Sequence, residues 1–272
     1  MTGDDGYLLA NAASEAGRRF AALGALFDDA TLRHLTGRGL ARGRRCWEVG
    51  AGGRGVPDRL ASVVGPEGLV LATDIDTSWL TDPAPRVPLR VLRHDVGADP
   101  PPAHDLDLVH ARLVLTHVPA RDRALAAMVA ALRPGGWLVV EEADPGLQPL
   151  LCPDEYGPEQ VLANRLRHGF RTLMAGRGAD LALGRTLPRR LRGLGLAGVG
   201  ADAYFPITDP AAVALEVATV EQIRDRLVGG GIATAAEVDE HLANVAAGRV
   251  PDLATSPMVT AWGQRSPGSP GW

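Results

Sequence analysis

The sequence predicts an α/β fold built on a mostly parallel sheet. Three observations carry that reading. Short apolar runs alternate with helical stretches along the first half of the chain. Several of the runs are apolar without interruption, as strands covered on both faces are. A glycine-rich turn, GAGGRG at 50–55, follows the first run directly.

A helical prelude comes first. Over 14–38, Ser14 stands as N-cap, Glu15 lies in the first turn, and Phe20, Leu23, Ala25 and Phe27 form an apolar stripe. Residues 45–49 (RCWEV) are the first strand, the glycine loop follows, and a helix is expected over 56–64. The second strand, 69–73 (LVLAT), ends at Asp74-Ile75-Asp76, and the third, 89–93 (LRVLR), at His94-Asp95. The fourth, 106–110 (LDLVH), follows the proline-rich DPPPAHD. A helix over 120–132 is stopped by Pro134-Gly135-Gly136, and the fifth strand is 137–142 (WLVVEE). Beyond residue 145 the texture changes: 155–177 and 209–248 read as mostly helical, with a weak strand at 197–205 and a clearer one at 257–264. That makes seven strands, with crossovers expected to be right-handed. The closing SPGSPGW reads as a flexible tail.

Composition narrows the function classes. The chain has 272 residues, 46% of them apolar, and a net charge of −4. An acidic balance with no basic cluster gives no electrostatic reason to bind nucleic acid or anionic lipid. All 28 basic residues besides histidine are arginine, which fits a GC-rich bacterial source. Without lysine there is no Schiff base and no Walker A phosphate grip. Cys46 and Cys152 form no C-x-x-C, the seven histidines are scattered, and the acids are not spaced as a magnesium set, so no metal is expected. The N-terminal MTGDDGYLLANAASEAG lacks a basic region followed by an apolar one, and no run of ~18 apolar residues occurs. A cytoplasmic protein with no membrane association is expected, either monomer or homodimer.

The glycine loop leaves two cofactors open. GAGGRG fits G-x-G-x-x-G, the dinucleotide fingerprint, while E-x-G-x-G from Glu48 is how S-adenosylmethionine (SAM) enzymes open their cofactor loop. Both cofactors need backbone angles that a Cβ disfavours, and both need an acid at the end of the second strand for ribose hydroxyls. Asp74 serves either, 24 residues after Gly50, with Asp76 its rival. Three further features favour SAM. A helical prelude precedes the loop, lysine- and zinc-based hydride chemistries lack their parts, and a series of strand-end acids, Glu48, Asp74 and Asp95, continues into DLDLVHARLVLTHVP and LRPGGWLVVEE.

Those blocks, with YLLANAASEAGRRF, CWEVGAGGRG, VLATDID and RHDV, resemble the class I SAM-dependent methyltransferases of the ubiquinone/menaquinone-methylase-like type, and among them an actinobacterial group. The resemblance spans about residues 7–142 and extends more weakly to PMVTAWG. One departure is Arg54-Gly55, where relatives carry a third loop glycine and a small residue. The resemblance implies a Rossmann-like seven-stranded, mostly parallel sheet with helices on both faces and a helical cap. The implied organisation is an N-terminal helical cover (1–40), a SAM-binding core (41–145), a substrate cap with the last strands (146–265) and a tail (266–272).

The resemblance also implies roles. Gly50, Ala51 and Gly52 would pass close to the methionine part of SAM, and Glu48 would organise the loop and the amino group. Asp74 would take both ribose hydroxyls beside Ile75. Asp95 would accept from the adenine amine, with Val96 on the ring. His110, ending the fourth strand, would meet the methionine end through its main chain and turn its side chain toward the acceptor. Tyr7 would be a lid residue. His117, in LTHVP, is the candidate general base, although packing against the next helix would equally explain it. Arg112 would bind an acidic acceptor or pair with a carboxylate. Glu141, Glu142 and Asp144 follow the fifth strand at the edge where open α/β sheets bind ligands, and Glu141 and Asp144 are taken as acceptor contacts.

The position after the fourth strand reads His110-Ala111-Arg112-Leu113 and not Asn/Asp-Pro-Pro-Tyr, which ranks adenine and glutamine acceptors low. The expected function is methyl transfer from SAM to a small molecule, a secondary metabolite among the options. An NAD(P)-dependent oxidoreductase and a non-catalytic SAM-binding module are the alternatives.

Overall fold

The structure is a computed structural model that describes residue 8, residues 15–80 and residues 88–267. The chain divides into two compact units. The sheet unit comprises Phe27–Ala143, Ala182–Tyr204 and the chain from Met258 on. The helical unit comprises the chain up to Leu26, Asp144–Leu181 and Phe205–Pro257. The helix α1 (Glu15–Thr36) contributes its first part to the helical unit and its last part to the sheet unit.

Seven strands build the sheet: β1 (Arg45–Val49), β2 (Leu69–Asp74), β3 (Leu89–Arg93), β4 (Leu106–Arg112), β5 (Leu132–Ala143), β6 (Ala197–Tyr204) and β7 (Met258–Gln264), in the order β3-β2-β1-β4-β5-β7-β6. Every pairing from β3 to β5 is parallel, and β7 enters antiparallel to both neighbours. The helices of this unit are α2 (Gly55–Val64), α3 (Arg121–Ala131) and α5 (Leu183–Gly193).

Period-two alternation sorts the strand side chains onto two faces. Trp47, Val49, Val109, Ala111, Leu138 and Val140 meet Leu125 and Met128 of α3 and Leu183, Leu187 and Leu191 of α5. Cys46, Val70, Ala72, Leu108 and Val139 meet Leu35 of α1 and Val56, Leu60 and Val64 of α2. Both faces are covered, so the apolar runs have no exposed side to alternate toward.

Two differences from the sequence reading have physical causes. The fourth strand runs two residues past His110, because Arg112 stays in register with Glu141 of β5. The helix α5 lies in a stretch to which the sequence assigns no element: despite Gly184 and Pro188, Leu183, Leu187 and Leu191 recur every four residues and are fully buried. Burial of that stripe outweighs the backbone bond that Pro188 cannot donate.

In the helical unit, α4 (Pro158–Gly176), α6 (Pro210–Gly229) and α7 (Ala235–Ala246) enclose an apolar core of Leu162, Leu166, Val220, Ile223, Leu227 and Val238. Asp209 caps α6, and Thr234 with Glu237 forms a capping box on α7. Among the described residues, no helix is long and apolar enough to cross a membrane.

Candidate cofactor site

Parallel strands deliver their carboxyl ends to one edge, and the loops leaving that edge form the site. Beyond β1 the chain turns at Gly50 and Gly52, with φ of 60° and 62°. At Gly50 the requirement is also steric: a Cβ there would lie 2.4 Å from Val114 Cγ2. Ala51 donates its N–H to the Thr73 carbonyl at 2.9 Å, tying the loop to the end of β2.

Asp74, at the end of β2, sits under this loop. Its Oδ2 accepts from the Gly52 N–H at 2.8 Å and its Oδ1 from the Asp76 N–H at 2.9 Å. Burial pushes its pKa up, and the backbone donors pull against that shift. Each oxygen keeps lone-pair capacity, so two vicinal hydroxyls can still be received. Asp76 is half-buried, and its own Oδ1 accepts from the Ser78 N–H at 3.0 Å. Ile75 is 60% exposed, an apolar face presented to water beside a buried carboxylate. Beyond β3, Asp95 is exposed and its Oδ1 accepts from the Gly97 N–H at 2.8 Å. Val96 is buried in the core with Trp47 and Leu71, so its side chain is spent on packing and the exposed Ile75 offers the apolar surface instead. Tyr7 lies outside the described residues.

Glu48 takes part in a ribbon of acids and imidazoles that crosses the sheet. Strand register sets Glu48 of β1 opposite His110 of β4, and Glu141 of β5 opposite Thr260 of β7. The fully buried His110 ring has Nδ1 2.6 Å from Glu48 Oε2 and Nε2 3.4 Å from Glu141 Oε2. Glu141 also accepts from the Thr31 and Thr260 hydroxyls, the latter at 2.8 Å. His34 of α1 stands 3.7 Å from Glu141 through Nδ1 and 3.0 Å from Asp202 of β6 through Nε2. Burial by itself would lower the pKa of His110. The charge of Glu48 and bonds to both glutamates outweigh that and raise it to about 9. Burial likewise disfavours the Glu141 carboxylate, and its histidine partners hold its pKa well below the usual range. The His110 side chain is therefore an internal counter-charge with no exposed surface to turn toward an acceptor.

The remaining candidates are placed as follows. Arg112 donates to Asp28 Oδ1 at 2.9 Å and to Thr31 at 3.1 Å, the pairing alternative of its two readings. His117 is half-buried at the end of a 3₁₀ turn, Leu115–His117, just beyond β4. Asp144 belongs to the helical unit, where it is buried and its Oδ1 accepts from the N–H groups of Gly146 and Leu147, both at 3.2 Å. Glu142 received no separate role in the sequence reading. It is fully buried and accepts from the N–H groups of Val114 and Leu115 and from the Thr116 hydroxyl. Burial raises its pKa to about 7 against the pull of those donors. Nothing in the local sequence separates it from Glu141; strand alternation sends the two side chains to opposite faces.

Comparison with known proteins agrees with this geometry. Residues 47–140 match the family model described as a methyltransferase domain. The chain is 32% identical over 113 residues to the methyltransferase str2 of Strobilurus tenacellus, covering 40% of this chain and 39% of that protein. It is 30% identical over 121 residues to the ubiquinone/menaquinone biosynthesis C-methyltransferase UbiE of Ectopseudomonas mendocina (strain ymp), covering 42% of this chain and 47% of that protein. The chain thus matches less than half the length of these curated relatives. Among solved structures, the Haemonchus contortus phosphoethanolamine N-methyltransferase 2 bound to phosphomonomethylethanolamine and S-adenosylhomocysteine superposes with a TM-score of 0.56. Its sequence identity is 14%, over 93% of this chain and 58% of that one. The glycine cradle, the Asp74 carboxylate and the exposed Ile75 have the chemistry an adenosyl ligand needs, and over residues 47–140 the chain is similar to the methyltransferase domain family.

Proposed function

We propose that the protein transfers the methyl group of SAM to a small-molecule acceptor. One observation carries this reading: three successive parallel strands deliver the Gly50–Gly52 turn, Asp74 and Asp95 to the same sheet edge. On this reading the main chain at Gly50, Ala51, Gly52 and His110 lines the methionine end, and Glu48 organises the loop. Asp74 holds the ribose hydroxyls. Ile75 packs on the adenine, and Asp95 accepts from its amine. The bound cofactor supplies an electrophilic sulfonium methyl. The residues supply alignment with a nucleophile and exclusion of water.

His117, beside the turn that follows β4, is the proposed base for an acceptor that must lose a proton. The acidic net charge and the absence of a basic cluster support an uncharged or cationic small molecule over nucleic acid. Arg112, Glu141 and Asp144 are proposed to serve the acceptor. A secondary metabolite as acceptor and a cytoplasmic location complete the proposal.

Thermal melts with SAM, S-adenosylhomocysteine and NADH test it. SAM and S-adenosylhomocysteine should raise the melting temperature, by RT ln(1 + [L]/Kd) in free energy, and NADH should not. Asp74→Ala should abolish the rise. A shift with NADH alone, or an undiminished SAM shift in Asp74→Ala, would sink the cofactor assignment. Methyl transfer from labelled SAM to a metabolite extract, lost in His117→Ala, tests the catalytic part.

A further inference from the structure

The segment that leaves β4 is held by a residue of the neighbouring strand. Leu113 adopts φ 59°, an unusual angle for a side-chain-bearing residue, and donates its N–H to the Glu141 carbonyl at 2.8 Å. The 3₁₀ turn Leu115–His117 has no side-chain cap from its N-cap residue, Val114. Its leading donors go to Glu142 on β5: Oε1 accepts from the Val114 N–H at 3.0 Å and the Leu115 N–H at 2.6 Å, and Oε2 from the Thr116 hydroxyl at 2.8 Å. A buried carboxylate thus caps a helical turn from another strand, satisfying donors that would otherwise be orphaned away from water.

The same turn touches two loops assigned above to the cofactor. The Val114 methyls occupy the place a Cβ on Gly50 would take, and a Cβ on Gly97 would lie 3.1 Å from Val118 Cγ1. Gly97 is the residue whose N–H is bonded to Asp95. The neighbouring acids are committed elsewhere, Glu141 to His110, Thr31 and Thr260, and Asp144 to Gly146 and Leu147.

We propose that Glu142 is a positioning residue that fixes the turn 113–118 and, through Val114 and Val118, sets the spacing of the glycine loop and the Asp95 turn around the cofactor. The proposal rests on the cofactor reading above. Glu142 touches neither substrate nor cofactor; it acts through the turn.

Three variants test it by amide hydrogen exchange and by S-adenosylhomocysteine binding in calorimetry. Glu142→Gln keeps an oxygen that accepts from Val114 and Leu115, so exchange at those amides and the Kd should stay within about threefold of wild type. Glu142→Met has similar length and no such acceptor. Those two amides should exchange about tenfold faster or more, and the Kd should rise about tenfold. If Glu142→Met does not fold, Thr116→Val, which removes one donor only, should raise the Kd about threefold. Unchanged amide protection in Glu142→Met, equal losses in Met and Gln variants, or an unaltered Kd in Thr116→Val would overturn the proposal. Failure of the wild type itself to bind S-adenosylhomocysteine would instead overturn the cofactor assignment, and the exchange rates, measured without ligand, would still decide the role of Glu142.

Discussion

His110 shows how a single residue can be misread when its strand neighbours are unknown. In sequence it is a histidine at a strand end near a presumed site. In the sheet it lies between Glu48 and Glu141, 62 and 31 residues away, and is fully buried. Register makes that trio, and no local pattern announces it. By contrast, the turn at Gly50 and Gly52 and the strand-end place of Asp74 were legible, because the loop must pass close to its own strand ends and short sequence spacing encodes that. The histidine has a pH signature. Its folded pKa of about 9 lies above its ordinary value of 6.5. Protonation therefore stabilises the fold fully below 6.5, and that contribution disappears as pH rises through about 9. Unfolding free energy from urea titration should fall between about pH 6.5 and about pH 9, and His110→Gln should flatten that fall. A slope that survives in His110→Gln would place the titration on another group.

At the scale of elements, continuously apolar strands were readable, since that signal is local, whereas 209–248 read as one helical stretch where α6 and α7 each carry their own cap. The helix α5 was not readable, because its stripe is narrow and its breakers are prominent. Arg189, Arg190 and Arg192 also make it look like a polar connector. Two of its interactions differ in kind, and magnitude separates them. Leu187 is fully buried against the α3 side of the sheet, whereas Arg190 pairs with Asp122, whose side chain is 81% exposed. Leu187→Ala should cost about 2–5 kcal/mol through lost burial and a residual cavity. Asp122→Ala should cost no more than about 0.5–1 kcal/mol, since an exposed pair is screened by water and salt. Chemical denaturation of the two variants checks the ranking. Equal costs would mean that α5 is held by its charges and not by its leucines.

For the whole molecule, the contiguous block that matches the methyltransferase family, residues 47–140, covers only part of the sheet unit. The chain leaves the sheet unit after Ala143, returns for α5 and β6, leaves again, and comes back for β7. Strand order then places β7 directly against β5, pairing it from Trp137 to Ala143. A fragment ending at Ala143 would expose one edge of a twelve-residue strand and uncover the face that Leu183, Leu187 and Leu191 protect. An unpaired apolar edge of that length recruits other chains, and the lost burial removes more stability than a domain of this size holds in reserve. A fragment of residues 27–143 should therefore lack a cooperative melt and sediment as aggregates, while the full chain melts cooperatively. A monomeric fragment with a sharp transition would show that five parallel strands suffice, and that β6, β7 and α5 serve a purpose other than closing the sheet. The helix α5 carries a weak sequence signal for the same reason that it matters: it is specified by what it covers, and the β5 residues it meets, Leu138 and Val140, lie more than forty residues away in the chain.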